Sequence, residues 1–479
     1  MVATRIRIHG DGGISKSIAY KGVDRIIKWE TNNSPQSSFS DHDSFFARLA
    51  RMIFSRFAGL AIACLAPQVS AQSTYPTLQL SDDVSMNFQL LTALGIAITG
   101  GADINPILGV AQDIIPGNRS SFSEQFQRLA HATKAVVEDP EIAYDPVNVR
   151  DTWFSVANYF RNADTYVRGN WSNPLINSLW DEQTKAFNKA IAALPVPGER
   201  IRIPVPEDNF TIEAIWYGGS NSAQSKLPTL IVGNGFDAAQ EDSYHNYVAP
   251  ALQRGWNAIT YEGPGQPTVR RNSNAGFIPE WEKVLNPVVD WILAEKAGVV
   301  DETRLALVGH SLGGYFAARA AAFEPRLAAT VLIGGVWDPS TVVNGQYEPE
   351  LLAICEAGNY TQFDEAVLSR LAAGDLGAAQ AWFLEHSLWA FNTPSPSEVI
   401  TRGKAFQVAD VIHQINHPVF VGDAEFENYY PGQAQMVANS LGDKATFHMF
   451  NGTAGYHCQT GALQELSRTV FAWLHTTLY

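Results

Sequence analysis

The segment ALVGHSLGGYFAARAAAFEP, residues 306–325, decides how the rest of this chain is interpreted. It opens with a short apolar run typical of a buried strand and continues into alanine-rich sequence typical of a helix. Between them lies the pattern Gly-x-Ser-x-Gly, in which Ser311 stands two residues from both Gly309 and Gly313. At a strand-to-helix junction this pattern lets a serine adopt a strained turn that exposes its hydroxyl, which favours a nucleophile over a merely flexible loop.

Short β-rich runs alternate with helical runs on both sides of this segment, from residue 198 onward. Two adjacent alternating runs, RIRIPV and FTIEAIWY, come first and predict an antiparallel edge. Six further strands are predicted at 228–235, 257–265, 304–311, 329–336, 417–425 and 445–452. Strands that alternate with helices predict an α/β fold with a mostly parallel, eight-stranded sheet and helices on both faces.

Helical periodicity dominates the part of the chain that precedes the predicted sheet, with few strand-like alternations between residues 83 and 195. Proline and glycine in LPVPGERIRIPVP, residues 194–206, indicate a boundary near residue 197. We therefore predict a helical N-terminal domain over 72–197 and an α/β domain over 198–479. Within the α/β domain the strand pattern stops over 337–410, which predicts a helical insertion above the carboxyl ends of the strands, where such sheets bind ligands.

The N-terminal sequence has the pattern of a targeting segment. The stretch MIFSRFAGLAIACLAPQVSA, residues 52–71, combines arginine with an apolar core of about ten residues and ends in the small-x-small pattern Val-Ser-Ala. These features predict a secretory signal peptide, with residues 1–51 as a disordered leader or a gene-model extension upstream of Met52. A short amphipathic helix at the domain edge is the alternative. We expect a secreted protein, with the cytoplasm as the alternative location.

Glycosylation would accompany secretion, and the acceptor pattern Asn-x-Ser/Thr can be searched directly. It occurs after residue 72 at Asn118, Asn170, Asn209, Asn359 and Asn451. Such triplets also arise by chance in a chain of this length, so their support for secretion is weak. Of three cysteines, Cys64 lies in the predicted signal, which leaves Cys355 and Cys458, enough for one disulfide.

The composition argues against several classes of partner. Lys and Arg number 33 against 48 Asp and Glu, for a net charge of −15, so the basic patches that bind nucleic acid or anionic membranes are not expected. No run of about 20 apolar residues is present, which argues against stable membrane insertion. The sequence contains no Cys-x-x-Cys pair, and we expect neither a metal nor a cofactor. The expected partner is a small-molecule substrate, and a homodimer is left open.

A serine nucleophile needs a base that takes its proton, and the strand order predicts where that base lies. The base is expected to be a histidine in the loop after the last strand. His457 fits, because it follows the strand 445–452 in a Gly-rich loop and precedes the closing helix. His448 lies inside a strand, His417 begins one and His475 lies on the terminal helix, so these fit less well. The alternative role for His457 is to cap a helix.

The acid that orients the base is expected after the preceding strand, where VFVGDAEFENYYPGQ offers Asp423, Glu425 and Glu427.

Two backbone amides are expected to bind the developing oxyanion. One belongs to Leu312, directly after the nucleophile, and the candidate for the other is Phe236 in the Gly-rich loop GNGFDAAQED. A plain strand-ending turn is the alternative for this loop. Gly235 and Asp237 flank Phe236 and are candidate substrate-pocket residues. Glu262, in the tight turn YEGPGQP, has either a structural role or a contact with the substrate.

These motifs together carry a family resemblance. GNGFDAAQED, YEGPGQP, LVGHSLGGYFAARAAAFEPRLAA, DAEFENYYPGQ and YHCQTGAL resemble one branch of the α/β-hydrolase superfamily. That branch includes 2,6-dihydroxypseudooxynicotine hydrolase and fungal hydrolases of polyketide pathways, among them those of pigment chain shortening and of fusarin- and cytochalasan-type clusters. The resemblance covers residues 200–479, and residues 85–197 are similar to the helical lid domain that these proteins carry before the core.

The resemblance implies an α/β-hydrolase fold with Ser311 as nucleophile and His457 as base. In the branch the acid lies just past a strand end and is followed by a hydrophobic pair and proline, which favours Glu427 in place of the usual aspartate, with Asp423 as runner-up. The chain departs from the branch in Gly233-Asn234-Gly235, where Gly-Gly is usual, in Pro267, where glycine is common, and in its predicted signal peptide.

The leading functional hypothesis is a serine hydrolase of secondary metabolism. It would cleave an ester, or a carbon–carbon bond next to a carbonyl in a retro-Claisen reaction, in a polyketide-like or aromatic substrate. The same residues could instead promote an intramolecular cyclisation or an acyl transfer in a dry pocket. A catalytically silent binding protein on the same fold is a third hypothesis, and a secreted peptidase is a weaker fourth.

Overall fold

The computed structural model describes residues 3–8, 14–19, 77–220 and 226–479, in two compact units, Met1–Ser73 and Thr74–Tyr479. In the first unit the strands β1 (Ala3–Ile8) and β2 (Ile14–Ala19) pair antiparallel. These two strands are the part of the predicted leader that is described, and the predicted signal peptide over 52–71 lies outside the described residues. Both therefore stay predictions.

An eight-stranded sheet organises the second unit. Its strands are β3 (Glu199–Val205), β4 (Phe210–Tyr217), β5 (Leu227–Gly233), β6 (Asn257–Glu262), β7 (Val300–His310), β8 (Ala329–Ile333), β9 (Val419–Ala424) and β10 (Ala445–Phe450). Their spatial order is β10-β9-β8-β7-β5-β6-β4-β3. The strands β3 and β4 form the antiparallel edge that the sequence predicted, and β4 pairs antiparallel with β6. All other pairs are parallel, which confirms the predicted mostly parallel, eight-stranded sheet.

Helices precede the sheet, cover both of its faces and fill one long insertion. Those before the sheet are α1 (Val84–Gly95), α2 (Ile104–Asp113), α3 (Arg119–Val137), α4 (Pro146–Ala163) and α5 (Leu175–Ala192). Those between the strands up to β8 are α6 (Ala249–Gln253), α7 (Pro267–Ser273), α8 (Glu282–Glu295) and α9 (Gly313–Ala321). Between β8 and β9, within the insertion predicted over 337–410, lie α10 (Ser340–Asn344), α11 (Pro349–Glu356), α12 (Tyr360–Ala373), α13 (Ala378–Phe391) and α14 (Pro396–Gly403). The last two are α15 (Gln433–Leu441) and α16 (Leu463–Leu478).

The helices that precede the sheet belong to the same compact unit as the sheet. The helix α5 ends at Ala192 and β3 begins at Glu199, on either side of the boundary predicted near residue 197. Local capping explains where two of these helices begin, because Asp83 accepts a hydrogen bond from the Met86 amide at 2.9 Å and Asp145 accepts one from the Val147 amide at 2.9 Å. No helix among residues 77–220 and 226–479 is long and apolar enough to cross a membrane.

Two apolar cores lie on opposite faces of the sheet. Alternate residues of the central strands enter different cores: Leu230 and Val232 pack with the helices before the sheet and with α16, whereas Ile231 packs with α8, α9 and the insertion. The strand β7 divides in the same way, with Val308 in the first core and Leu307 in the second. Because successive side chains of a strand point to opposite faces, a strand buried on both faces is apolar throughout, as in PTLIVG and LALVG. The central strands therefore correspond to continuous apolar runs in the sequence.

Packing beneath the helix α9 generates a stability prediction. The rings of Trp281 and Phe316 stack with centroids 3.7 Å apart, and both are about 1% exposed. We expect Phe316→Ala to lower the free energy of unfolding by about 3–5 kcal/mol, through lost apolar burial and the cavity left behind. Urea unfolding followed by tryptophan fluorescence measures this loss. The control Tyr144→Ala removes an aromatic ring that is 80% exposed, and is expected to change stability by less than about 0.5 kcal/mol. Equal losses in the two variants would contradict the assignment of Phe316 to the core.

Candidate active site

The serine of the Gly-x-Ser-x-Gly pattern lies on a sharp turn between β7 and α9. Ser311 has φ +59°, a left-handed conformation that costs energy for a residue with a side chain, and its amide donates to the Ile333 carbonyl at 2.8 Å. A Cβ on Gly309 would lie 2.6 Å from the Ala317 Cβ and would overlap the Gly313 carbonyl. The turn therefore requires glycine at residue 309, and it presents the Ser311 side chain above the carboxyl end of the sheet.

The imidazole of His457 lies beside this hydroxyl. His457 Nε2 is 2.9 Å from Ser311 Oγ, and His457 Nδ1 is 2.6 Å from Glu427 Oε2. Because the carboxylate is an acceptor, Nδ1–H donates to Glu427, and Nε2 is left to accept the serine proton. The rings of Tyr429 and Phe88 lie against the imidazole at centroid distances of 4.8 Å and 6.3 Å, so one side of the histidine is shielded by aromatic surface.

The carboxylate of Glu427 is held in place by backbone amides. Its Oε1 accepts hydrogen bonds from the amides of Tyr429 at 2.8 Å and Tyr430 at 3.2 Å, while Oε2 faces His457. The other two carboxylates of this segment lie elsewhere. Asp423 accepts from the Ala424 amide at 2.9 Å, and Glu425 accepts from the Gly452 amide at 2.7 Å. Among the three sequence candidates, the geometry therefore brings Glu427 to the imidazole and leaves the runner-up Asp423 as a buried neighbour.

Burial and neighbouring charges shift the pKa values of Glu427, His457 and Asp423. Burial raises the pKa of Glu427, but the charge of His457 and its hydrogen bond outweigh burial, and the net pKa lies below the ordinary value. Burial alone would lower the pKa of His457, but the neighbouring Cys458 and Glu427 raise it above the ordinary value of 6.5. For Asp423, burial and the charge of Glu427 raise the pKa. The arrangement stabilises an imidazolium at His457.

The loop after β5 lies directly against the serine turn. A Cβ on Gly235 would lie 2.8 Å from the Leu312 amide nitrogen and 2.9 Å from the Ser311 Cβ, so only glycine permits this approach. The side chain of Gln266 supports the same loop, since its amide donates to the carbonyls of Asn234 at 2.8 Å and Gly235 at 3.3 Å. The Gly235 carbonyl belongs to the same peptide group as the Phe236 N–H, the amide predicted for the oxyanion hole. Leu312 precedes the first residue of α9, where helix amides are free to bind an anion.

One predicted pocket residue has a different role. Glu262 is completely buried and accepts hydrogen bonds from the amides of Gln240, at 2.9 Å, and Thr268. It lines neither cavity at Ser311. Burial and the charge of Glu241 raise its pKa to about 7. The sequence left a structural role or a substrate contact open for Glu262, and its hydrogen bonds support the structural role, because they tie the loop after β5 to the start of α7.

A buried chain of polar side chains, which the sequence analysis missed, supports the candidate oxyanion loop. Asp164 binds the guanidinium groups of both Arg168 and Arg271, the latter at 2.9 Å. Arg168 Nη1 lies 3.0 Å from His386 Nδ1, and His386 Nε2 lies 3.0 Å from the Phe236 carbonyl oxygen. Because a guanidinium only donates, Nδ1 must accept, and the ring proton lies on Nε2 and is donated to Phe236. The sequence signal was a lone histidine within the apolar helix α13.

The buried polar side chains around His386 keep its imidazole neutral. Burial and the positive charge of Arg168 lower the pKa of His386 well below its ordinary value. The imidazole therefore keeps its tautomer across the physiological pH range, and its hydrogen bond to the Phe236 carbonyl does not titrate there. Through it, the segment after α4 and the insertion helix α13 both hold the loop after β5.

Other histidines and the two described cysteines have surroundings of their own. His310, next to the serine, bonds the Tyr247 hydroxyl at 2.7 Å rather than facing Ser311 Oγ. Cys458 and Cys355 are both free thiols, so the pairing left open for them does not occur. His413 and His417 stand four residues apart, but His417 bonds the Thr330 hydroxyl at 2.7 Å. Among residues 77–220 and 226–479, no group of three or more side chains is arranged to hold a metal ion.

An apolar cavity opens on the serine, lined by the insertion and by α1. Its walls are mostly aromatic and aliphatic: Phe88, Phe236, Phe277, Leu312, Val342, Val343, Trp382, Phe383, Phe391, Phe406, Tyr429 and Tyr430. Ser311 and His457 form the reactive part of its floor. The predicted pocket residue Asp237 also lines this cavity, whereas Gly235 lines an adjoining one. The walls of this cavity are therefore mostly apolar, with few polar groups, as is typical of sites that bind small organic molecules.

The sheet order and the strand-to-helix turn at Ser311 define an α/β-hydrolase fold. Residues 230–453 match the model of the alpha/beta hydrolase family. The hydrolase LUC6 of Fusarium sp is 28% identical over 412 residues, which cover 83% of this chain and 98% of that protein. The 20-hydroxy-prefusarin hydrolase FUS2 of Gibberella moniliformis is 25% identical over 414 residues, which cover 82% of this chain and 96% of that protein.

A solved structure extends the likeness to the whole fold. The crystal structure of 2,6-dihydroxy-pseudo-oxynicotine hydrolase superposes with a TM-score of 0.63 at 19% identity, over 80% of this chain and 95% of that chain. The α/β-hydrolase fold is therefore confirmed, and so is the resemblance of the chain to fungal hydrolases and to 2,6-dihydroxy-pseudo-oxynicotine hydrolase. The family and its hydrolase-named relatives support a hydrolase for this chain.

The hydrogen bond of His386 yields a prediction. We expect His386→Phe, which keeps a planar ring but loses both nitrogens, to lower kcat by about 10-fold or more, because the loop after β5 loses its support and Arg168 loses an acceptor. His386→Gln retains one donor and one acceptor at similar spacing and is expected to recover much of the loss. Steady-state kinetics on an accepted acyl ester measure both variants. Equal kcat values for wild type and His386→Phe would contradict the supporting role.

Proposed function

We propose that this chain is a serine hydrolase that cleaves an ester, or a carbon–carbon bond next to a carbonyl, in a polyketide-like or aromatic substrate. The observation that carries the proposal is the continuous hydrogen-bonded row Ser311–His457–Glu427 on the floor of an apolar cavity. Its geometry matches the requirement that a nucleophile bond its base and that the base bond an orienting acid. The fungal relatives with hydrolase names support the same reaction class.

In the proposed reaction Ser311 Oγ attacks the substrate carbonyl while His457 Nε2 takes the hydroxyl proton. The amides of Leu312 and Phe236 donate to the oxyanion that forms, and Glu427 stabilises the imidazolium. Collapse of the tetrahedral intermediate transfers the proton from Nε2 to the leaving oxygen, or to the leaving carbon in a retro-Claisen cleavage. Water, deprotonated by His457, then attacks the acyl-serine and releases a carboxylic acid, so that each turnover consumes one water molecule.

The cavity supports an aromatic or polyketide-like substrate. Rings from α1, α13, the segment after α14 and the loop after β9 surround the space above Ser311, and such walls favour flat, conjugated or aliphatic molecules. Hydrolysis at this serine needs water to enter after the first product leaves. Cyclisation would need water to stay out, so the mass of the product distinguishes the two reactions.

We also propose that the chain is secreted, on its sequence pattern. The five acceptor asparagines all lie at exposed positions, where glycosylation of a secreted chain would meet no steric obstacle: Asn118, Asn170, Asn209, Asn359 and Asn451.

Substitution of the nucleophile tests the proposal. We expect Ser311→Ala to lower kcat/KM by about 10⁴-fold or more on every accepted acyl ester or β-diketone, since the hydroxyl that forms the proposed acyl intermediate is gone. Product analysis in ¹⁸O-labelled water should find one labelled oxygen per turnover. The exposed Ser178→Ala is the control and should keep full activity. Full turnover by Ser311→Ala, or a product with no added water, would refute hydrolysis at this serine.

The raised pKa of His457 predicts a pH dependence. The imidazole must be neutral to accept the serine proton, so kcat/KM falls as the pH drops through the folded-state pKa, which lies above 6.5. We expect Glu427→Gln to move this acidic limb to lower pH, because the charge that favours the imidazolium is gone, and to lower kcat by about 10⁴-fold. Profiles of kcat/KM against pH measure both effects. Asp423→Asn is the matched control, and a larger shift of the limb in that variant than in Glu427→Gln would reverse the assignment of the acid.

A further inference from the structure

A second cavity meets the apolar cavity at the serine. It lies between α1, the loop after β5 and the segment that follows His457, and it is more polar, with Arg161, Asp242 and Asn246 in its walls. The residues common to both cavities are Phe88, Gln89, Phe236, Asp237, Ser311 and His457. Asp237 is the one carboxylate in this shared set, and it directly follows the residue whose amide we assign to the oxyanion hole.

The backbone around Asp237 is held firmly. The Asp237 carbonyl accepts a hydrogen bond from Arg161 Nη2 at 2.8 Å, and the preceding carbonyl, of Phe236, accepts one from His386 at 3.0 Å. With both peptide groups held, the position of the Asp237 Cβ is set by the protein before any ligand enters.

The carboxylate itself lacks a partner. Within residues 77–220 and 226–479, it accepts no hydrogen bond and forms no ion pair. The contrast with Asp242 is informative, because that carboxylate, in the wall of the second cavity, accepts from the Ala239 amide at 2.9 Å and pairs with Arg161 at 3.2 Å. Partly buried charges in proteins are normally paired or hydrogen-bonded. An unpaired carboxylate facing aromatic walls is therefore most economically explained by a partner on the ligand.

The surroundings indicate the kind of partner. The cation of Arg161 already acts electrostatically on Asp237, and Arg168 lies close enough to be affected by the same charge. A second cation from a ligand would be repelled by these guanidinium groups, whereas a neutral hydroxyl or amide N–H would not. Adjacent residues are about 3.8 Å apart along the backbone, so a donor at Asp237 lies only about two to four bonds from a carbonyl held at the Phe236 amide.

We propose that Asp237 is a specificity-determining residue that accepts a hydrogen bond from a neutral hydroxyl or amide N–H on the substrate, a few bonds from the carbonyl that Ser311 attacks. The substrate class is thereby narrowed to apolar carbonyl compounds with a polar donor next to the reacting centre, the apolar arm in the aromatic cavity and the donor side toward the second cavity. The inference rests on the hydrolase function proposed above.

A set of related esters isolates the proposed hydrogen bond to Asp237. The probes are 4-nitrophenyl esters of one straight-chain acid, unsubstituted or carrying a hydroxyl at carbon 2, 3 or 4. We expect the wild-type chain to prefer one hydroxylated ester by about 10- to 100-fold in kcat/KM, the range of a buried charged hydrogen bond. Asp237→Leu, of similar size but without an acceptor, should lose that preference through slower turnover of the hydroxylated ester. Asp237→Asn keeps a neutral acceptor and should retain part of it.

Controls separate this inference from the function on which it rests. Asp443→Leu makes the same change at an exposed position and should keep the wild-type preference. Labelling of Ser311 by a fluorophosphonate probe reports the catalytic machinery in each variant, and also that each variant is folded. A labelled, active wild-type chain that is indifferent to the hydroxyl overturns the role of Asp237 alone, as does a preference that survives in Asp237→Leu or, if that variant does not fold, in Asp237→Asn. Absence of labelling and of ester turnover in the wild-type chain overturns the hydrolase proposal instead.

Discussion

The hydrogen bond between Ser311 Oγ and His457 Nε2, 2.9 Å long, joins residues 146 positions apart, and the site depends on it. It forms because β7, β8, β9 and β10 lie side by side and in parallel, so that the segments after three of them emerge at one edge. The serine follows β7, Glu427 follows β9 and His457 follows β10. A misplacement of about 1 Å in such a group can cost 100-fold in rate, which explains why rigid strands carry it.

Buried charge joins the rest of the molecule to this edge. Asp164 and Arg168 lie after α4 in the helical segment before the sheet, His386 lies in the insertion, and Phe236 follows β5. Burying charged groups costs desolvation energy, and their mutual attraction offsets that cost only where the geometry is good. This row of buried polar side chains is therefore weak evidence for added stability. Its effect is positional, because its ion pairs and hydrogen bonds fix the positions of the segments that they join. It ties two helical segments, distant in sequence, to the loop that we assign to the oxyanion.

The cavity at Ser311 has mostly apolar walls, and only a few polar groups face it. Aromatic rings form most of the wall above Ser311, and beside such apolar surface each charge acts more strongly than it would in water. Glu427 is satisfied by two amides and an imidazole, whereas Asp237 has no partner of its own. One carboxylate thus serves the machinery, and the other is available to a ligand.

The sequence by itself determined the alternation of strands and helices, the serine turn and the histidine that follows the last strand, because glycine spacing and apolar periodicity act over a few residues. It left the choice among Asp423, Glu425 and Glu427 to the family resemblance, since carboxylates two to four positions apart have the same local pattern. Only the tertiary structure brought Glu427 to the imidazole, buried Glu262 away from the cavity and joined Arg168 to His386 across 218 residues. Those outcomes depend on distances between segments remote in sequence, which local propensity does not encode.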